Sequence, residues 1–125
     1  MSKICQFFPN DYSCYIEPFA GALGSFLNSG VEIENVELND LNSEIINLYR
    51  LLRTDAKEII MITNALPKDK ESYYKIRSWD REESWSSRYD LEKAARTIYL
   101  NKLCFNGLYR LNTKHGYFNT PYNGG

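Results

Sequence analysis

The chain has 125 residues, 43% of them hydrophobic, with a formal net charge of −1; that suits one compact domain with a real core and leaves no room for a second complete one. Three cysteines without Cys-x-x-Cys spacing indicate neither a disulfide framework nor a zinc site, and fit a reducing cytoplasm. No window is apolar enough for a membrane span, and the opening stretch, broken by Gln6 and Pro9, is too short for a signal sequence.

In chain order, Pro9-Asn10-Asp11 is a turn signal that ends a short helix within residues 1–14. Tyr15 to Glu17 reads as a first strand, and about Gly21 to Ser29 as a first helix closed by Gly30. A strand, a glycine turn and a helix start are where open α/β sheets bind a nucleotide. Gly21 lets the chain turn sharply and a ligand approach the main chain, and the free N–H groups of the following helix then face that ligand. Glu17, at the end of the strand, can accept hydrogen bonds from a ligand amine or sugar hydroxyl. Such turns also serve as plain connectors.

Val36 to Asp40 alternates as a second strand and again ends in an acid. Asp40 follows Gly21 by nineteen residues, the spacing at which a doubly wound sheet presents a carboxylate to ribose hydroxyls. It also stands where an N-terminal cap for the next helix is expected, and the two roles are compatible. In that helix, Ser43 to Arg53, residues Ile45, Leu48, Tyr49 and Leu52 share one face. Asp55 and Glu58 resemble a capping box for a third helix through about Asn64. After Pro67 a short helix near 70–77 and then a mobile loop are expected; Asp90 caps a last helix through about Leu103, with Leu91, Ala94, Ala95 and Ile98 inward.

All sixteen acidic residues lie before residue 93, whereas Lys93, Arg96, Lys102, Arg110 and Lys114 follow without one. Such a basic quarter suggests an anionic partner, or else a solvated helix face and a turn. Within it, Phe105-Asn106-Gly107-Leu108-Tyr109-Arg110-Leu111-Asn112 and Tyr117-Phe118-Asn119-Thr120-Pro121-Tyr122 flank Lys114-His115-Gly116, the pattern of a β-hairpin. Aromatics, asparagines and arginine without acids suit nucleic acid: Arg110 can bond a guanine edge or a phosphate, Asn106, Asn112 and Asn119 can reach bases or backbone, and an aromatic can wedge or stack. His115, the sole histidine, reads as an exposed turn residue.

Four stretches, in order, resemble the Dam and DpnII-type (D12 class) DNA adenine-N6 methyltransferases: Glu17-Pro18-Phe19-Ala20-Gly21; Asn39-Asp40-Leu41-Asn42 with Ile46-Asn47-Leu48-Tyr49; Tyr73-Tyr74 to Arg77; and Tyr99-Leu100-Asn101-Lys102 with Cys104 to Arg110, extended by Gly116 to Asn119 and Pro121-Tyr122. The resemblance covers nearly the whole chain, the last stretch being the most specific. It implies an α/β fold: an incomplete Rossmann-like sheet of an S-adenosylmethionine (SAM)-dependent methyltransferase over residues 1–54, then a helical target-recognition region with a DNA-contacting hairpin over 55–125. It implies that Glu17, Pro18, Phe19, Ala20 and Gly21 line the SAM pocket and that Asp40 binds its ribose end. Phe105, Asn106, Leu108, Arg110, Asn112, Asn119 and Pro121 would lie on the hairpin that enters duplex DNA. Leu108, Arg110 and Pro121 match positions that discriminate bases in GATC-reading members.

The sequence also departs from the family. Its prolines are Pro9, Pro18, Pro67 and Pro121, so the catalytic Asp-Pro-Pro-Tyr motif is absent. So are the Trp-Ala-Gly-Gly-Lys segment that precedes the first motif and about half of the family's chain, and Leu23 stands in place of a frequent second glycine. These departures imply the cofactor and target-recognition half of an adenine methyltransferase, inactive alone, whose uncovered sheet edge and helix faces predict low stability, self-association or dependence on a second polypeptide that supplies the catalytic half. The competing expectation is a non-enzymatic, DNA-binding remnant.

Overall fold

Two short runs of strand-forming residues pair with each other: β1 (Tyr15–Glu17) lies parallel to β2 (Val36–Leu38) in a computed structural model that describes residues 5–30, 32 and 34–124. Parallel strands require a crossover, and α1 (Gly24–Ser29) supplies it. The register sets Tyr15 opposite Val36 and Glu17 opposite Leu38, so both strands present their carboxyl ends, and the acids there, on the same side. Beyond the strands, the Asn39 N–H donates to Glu17 O (2.9 Å) and the Ala20 N–H to Asn39 O (2.7 Å), which prolongs the pairing into the turn.

The first helix starts three residues later than its sequence pattern indicates. Gly21 (φ +48°) and Leu23 (φ +58°) hold left-handed backbone, which cannot continue into a right-handed helix. For glycine this conformation is free, whereas for leucine it costs roughly 1 kcal/mol. Gly30 closes the helix in the same conformation. Of the helix expected before Pro9, a 3-10 turn over Cys5–Phe7 is present, and residues 1–4 lie outside the described residues.

The chain divides into two units, residues 1–46 and 47–125. In the first, Ala20 is the one buried side chain among the described residues, while Ile16, Phe19, Leu27 and Leu41 are exposed. Helix α2 (Ser43–Leu52) is capped by Asn42, whose Oδ1 accepts from the N–H groups of Glu44 (3.0 Å) and Ile45 (3.4 Å). Asp40 is not the cap, because its carboxylate is spent on Gly21 and Asn42.

The second unit contains the end of α2, then α3 (Ala56–Ala65), α4 (Lys70–Arg77) and α5 (Asp90–Leu103). Ala94 and Ala95, with no side chain beyond Cβ, let α5 come close to α3, and they form one buried cluster with Leu48 and Ile59. Tyr73, Ile76, Tyr99, Leu100, Leu103, Cys104 and Phe118 form the other. Asp69 caps α4 by accepting from the Ser72 N–H (2.9 Å). The capping box at Asp55 does not form: the carboxylate instead accepts the neighbouring Thr54 hydroxyl. Asp90 is the first residue of α5 rather than its cap, with its carboxylate turned to Arg50 and Lys93.

Residues 78–88, expected as a mobile loop, fold into two 3-10 turns, Ser78–Arg81 and Glu83–Ser87. Arg88 organises them, with its guanidinium 4.0 Å from the centre of the Trp79 ring and ion-paired to Glu82 (3.0 Å) and Glu92 (3.4 Å). Behind them lies Arg96, 2% exposed. Its guanidinium donates to the carbonyls of Ile76 (2.9 Å) and Arg77 (2.7 Å) at the carboxyl end of α4 and pairs with Asp80 at 3.0 Å. A cation at that end is favoured by the helix dipole as well as by the two bonds.

Removing one partner of a buried ion pair leaves the other desolvated and uncompensated. Asp80→Ala should therefore lower the unfolding free energy by about 3 kcal/mol, measured by urea denaturation; a loss below about 1 kcal/mol would put the pair in the class of weak, solvated bridges.

Candidate functional site

At the carboxyl ends of β1 and β2 the chain gathers Glu17, the Pro18–Gly21 turn and Asp40. Asp40 clasps that turn. Its Oδ2 accepts from the Gly21 N–H (2.8 Å) and its Oδ1 from the Asn42 N–H (2.9 Å), and these two backbone donors, Asn42 first, hold its pKa below the ordinary 3.8. The Gly21 N–H is therefore turned to Asp40 and is not a free donor awaiting a ligand. Each carboxylate oxygen keeps a second lone pair, so a hydroxyl can still donate to Asp40. A Cβ built on Gly21 would meet nothing within 4 Å, so its positive φ, not crowding, calls for glycine there.

Beside Glu17 opens a cleft of about 450 Å³, walled by Phe8, Tyr12, Tyr15, Glu17, Pro18 and Phe19. That volume is in the range of small-molecule sites. Glu17 Oε2 accepts from the Tyr15 hydroxyl (3.0 Å). Of the residues singled out in the sequence, Glu17, Pro18 and Phe19 line the cleft, whereas Ala20, Gly21 and Asp40 lie outside its wall, on the adjoining turn and strand end. Phe8, Tyr12 and Tyr15 were not singled out; the cluster of aromatics just before the first strand is the signal that could have found them.

The second candidate surface is the hairpin. Leu111 and Phe118 form an antiparallel bridge, Asn112 receives the Gly116 N–H (3.0 Å) and donates its own to Tyr117 O (2.8 Å), and the Asn119 N–H donates to Arg110 O (3.0 Å). The arms are not regular strands, because side chains behind them take the carbonyls of 118–120. Arg81 donates to Phe118 O (3.1 Å), Arg77 to Asn119 O (3.3 Å) and Thr120 O (3.2 Å), and the buried Tyr73 hydroxyl to Thr120 O (2.9 Å). Asp80 accepts the Phe118 N–H (2.8 Å). Neither Asp80 nor Arg81 was legible as a support from composition.

Phe105, Asn106, Leu108, Arg110 and Pro121 are exposed, and the Phe105 N–H bonds Pro121 O (2.9 Å), which brings those two residues together at the hairpin base. Asn112 and Asn119 are half-buried: Asn112 Oδ1 fixes the turn by accepting the His115 N–H (2.8 Å), and Asn119 Oδ1 accepts Arg110 Nε (2.8 Å). The basic quarter is less of a surface than its charge suggests. Arg96 is buried, and Lys93, over the Trp85 ring and near Asp90, is largely covered. Lys102, Arg110 and Lys114 remain exposed. Among the described residues no group of three or more His, Cys, Asp or Glu is placed to hold a metal ion, and no helix is long and apolar enough to cross a membrane.

The family model for the D12 class N6 adenine-specific DNA methyltransferases matches residues 1–124, which include both the glycine turn clasped by Asp40 and the hairpin. The chain belongs to that family. It is 36% identical over 123 residues to the type II methyltransferase M.CviBI of Paramecium bursaria Chlorella virus NC1A, covering 98% of this chain and 45% of the relative. Identity to the type II methyltransferase M1.LlaDCHI of Lactococcus lactis subsp. cremoris is 37% over 116 residues (91% and 40%). To the DNA adenine methylase of Haemophilus influenzae it is 35% over 127 residues (96% and 41%). The chain spans less than half the length of these relatives.

The clasp makes the turn sensitive to acid. Because the Asp40 pKa is lowered on folding, its contribution is complete above the unfolded value of 3.8 and is lost as pH falls through the lower, folded value. The Gly21 and Asn42 amide resonances should therefore hold steady from pH 7 to about 5 and shift together with a midpoint below 3.8; in Asp40→Asn that acid transition should vanish. Amide shifts with a midpoint above 3.8 would show that Asp40 does not hold the turn.

Proposed function

We propose that this segment is the cofactor-binding and target-reading part of an enzyme that transfers the methyl group of SAM to the exocyclic N6 of adenine in a short duplex site such as GATC. The observation that carries the reading is the convergence of Glu17, the Gly21 turn and Asp40 at the carboxyl ends of two parallel strands, where open α/β sheets take their ligands. In this reading residues 1–54 are the first part of a Rossmann-like SAM domain and 55–125 the target-recognition region.

The aromatic cleft with one carboxylate suits a ligand that carries both a heteroaromatic ring and positive charge. Glu17, Pro18, Phe19, Ala20 and Gly21 would hold SAM, with Asp40 accepting from its ribose hydroxyls. When bound, SAM supplies an electrophilic methyl group. On the other surface Arg110 reads a base edge, Leu108 and Pro121 discriminate neighbouring bases, Phe105 wedges or stacks, and Asn106, Asn112 and Asn119 complete the hairpin edge. The target amine is conjugated with its ring and a poor nucleophile, so flipping the base and aligning it supply much of the acceleration. The groups that bond the amine, Asp-Pro-Pro-Tyr in the family, are not among these 125 residues. Binding and reading therefore belong to this segment, and the chemical step needs residues beyond it.

Three measurements test the reading. SAM should bind the chain in calorimetry and weaken about tenfold in Asp40→Ala, the loss of one hydrogen bond to a charged group, with DNA affinity unchanged. Methyl-labelled SAM and unmethylated duplex should give no labelled DNA with the chain alone. Arg110→Ala should relax the sequence preference by about 1–3 kcal/mol at one base pair. Salt-sensitive DNA binding with no affinity for SAM would favour the non-enzymatic remnant instead; labelled DNA would show that catalysis does not require the missing motif.

A further inference from the structure

We infer that Asn119 is a positioning residue for Arg110: it fixes which edge of the guanidinium is offered to a base, and it does so through its oxygen. This rests on the proposed reading of DNA by Arg110 and adds to it the means by which that reading is made selective.

Arg110 and Asn119 face each other across the hairpin, joined by the Asn119 N–H bonded to Arg110 O at 3.0 Å. Above that backbone bond the side chains meet. Arg110 Nε donates to Asn119 Oδ1 at 2.8 Å, and Arg110 Nη2 lies 3.5 Å from Asn119 O. Since Nε–H is only ever a donor, the atom of the Asn119 amide that faces it must be the oxygen. The two contacts occupy the side edge of the guanidinium, formed by Nε and one Nη2 hydrogen. The end edge, formed by Nη1 and the other Nη2 hydrogen, is the fork left to meet two acceptors in a plane, as on a guanine edge. An exposed arginine without such a support loses rotamer freedom at every encounter and can offer either edge.

The support is itself anchored. Asn119 O also accepts from Arg77 (3.3 Å), and the preceding Phe118 N–H is held by Asp80 (2.8 Å). The orientation of Arg110 therefore descends from the buried side of the hairpin and not from DNA.

A direct contact and a support role make opposite demands on the Asn119 amide. Touching a phosphate or a base acceptor requires the Nδ2 donor, whereas orienting Arg110 requires only the oxygen. Asn119→Asp keeps the acceptor and removes the donor; Asn119→Ala removes both. In the chain without DNA, the Arg110 Nε–H resonance should be slowly exchanging in the wild type and in Asn119→Asp, and lost to solvent exchange in Asn119→Ala. In selections from randomised duplexes, Arg110→Ala should lose about 5-fold or more of discrimination at one base pair. Asn119→Ala should lose discrimination at that same pair, the double variant should lose no more than Arg110→Ala, and Asn119→Asp should retain it while binding all duplexes more weakly. Equal loss in Asn119→Asp and Asn119→Ala, or additive losses in the double variant, would overturn the support role while leaving Arg110 as reader. An unchanged preference in Arg110→Ala, or none in the wild type, would remove the reading and the inference together.

Discussion

The Arg96–Asp80 ion pair is the interaction on which the second unit depends. Arg96 reaches from α5 to the last carbonyls of α4 and to Asp80, and Asp80 in turn holds the Phe118 N–H of the hairpin. Three elements distant in sequence thereby meet at one buried charge. Desolvating two ions is costly, and a well-packed apolar pair of similar volume is often no less stable. An apolar pair could not, however, accept or donate to three backbone groups. Arg96 adds two bonds to the carbonyls of Ile76 and Arg77 at the end of α4, and Asp80 accepts the Phe118 N–H of an irregular hairpin. The charge is retained where it satisfies backbone, and packing follows around it through Tyr73, Tyr99 and Phe118.

The first unit is held in a different way. It buries almost no apolar side chain among its described residues, and an isolated pair of strands is marginal in water. Its order rests on hydrogen bonds: the parallel ladder, the bonds from Asn39 and Ala20, and the Asp40 clasp on Gly21. Leu23 adds roughly 1 kcal/mol of left-handed strain in the same turn. A turn held by polar bonds, with strain inside it and a cleft beside it, has little reserve against distortion. Such local weakness is common where a ligand contributes the remaining contacts.

Much of this was legible in the sequence, for identifiable reasons. The strands and α2 to α5 follow from the sequence pattern with bounds that match closely, and Pro67 marks the break between α3 and α4. The proximity of Glu17 and Asp40 follows from reading two parallel strands, since register then brings their ends together. What a sequence does not carry is the partner of a polar group. Asp40, Asp55 and Asp90 all stand at plausible cap positions, yet Asn42, Thr54 and Arg50 with Lys93 decide otherwise. Trp79 and Trp85 gave no periodicity, because they are held by Arg88, Lys93 and Arg96 rather than by a repeating face.

The same blindness to partners governs the electrostatics of the hairpin. Five cations without an acid suggest a basic surface, but Arg96 is consumed by Asp80 and α4, and Lys93 by Trp85 and Asp90. With Lys102, Arg110 and Lys114 left exposed in this quarter, few phosphates can be neutralised here, and each contributes only about 0.9 to the salt dependence of binding. In the proposed reading, affinity drawn from so few charges is modest, and the surface works through geometry. A single arginine contributes little as a charge among solvated charges, but much as a fork held in one orientation. The buried ion pair takes Arg96 from the surface and fixes the hairpin from behind through Asp80, and in the proposed reading that fixed hairpin is what holds Arg110 in one orientation.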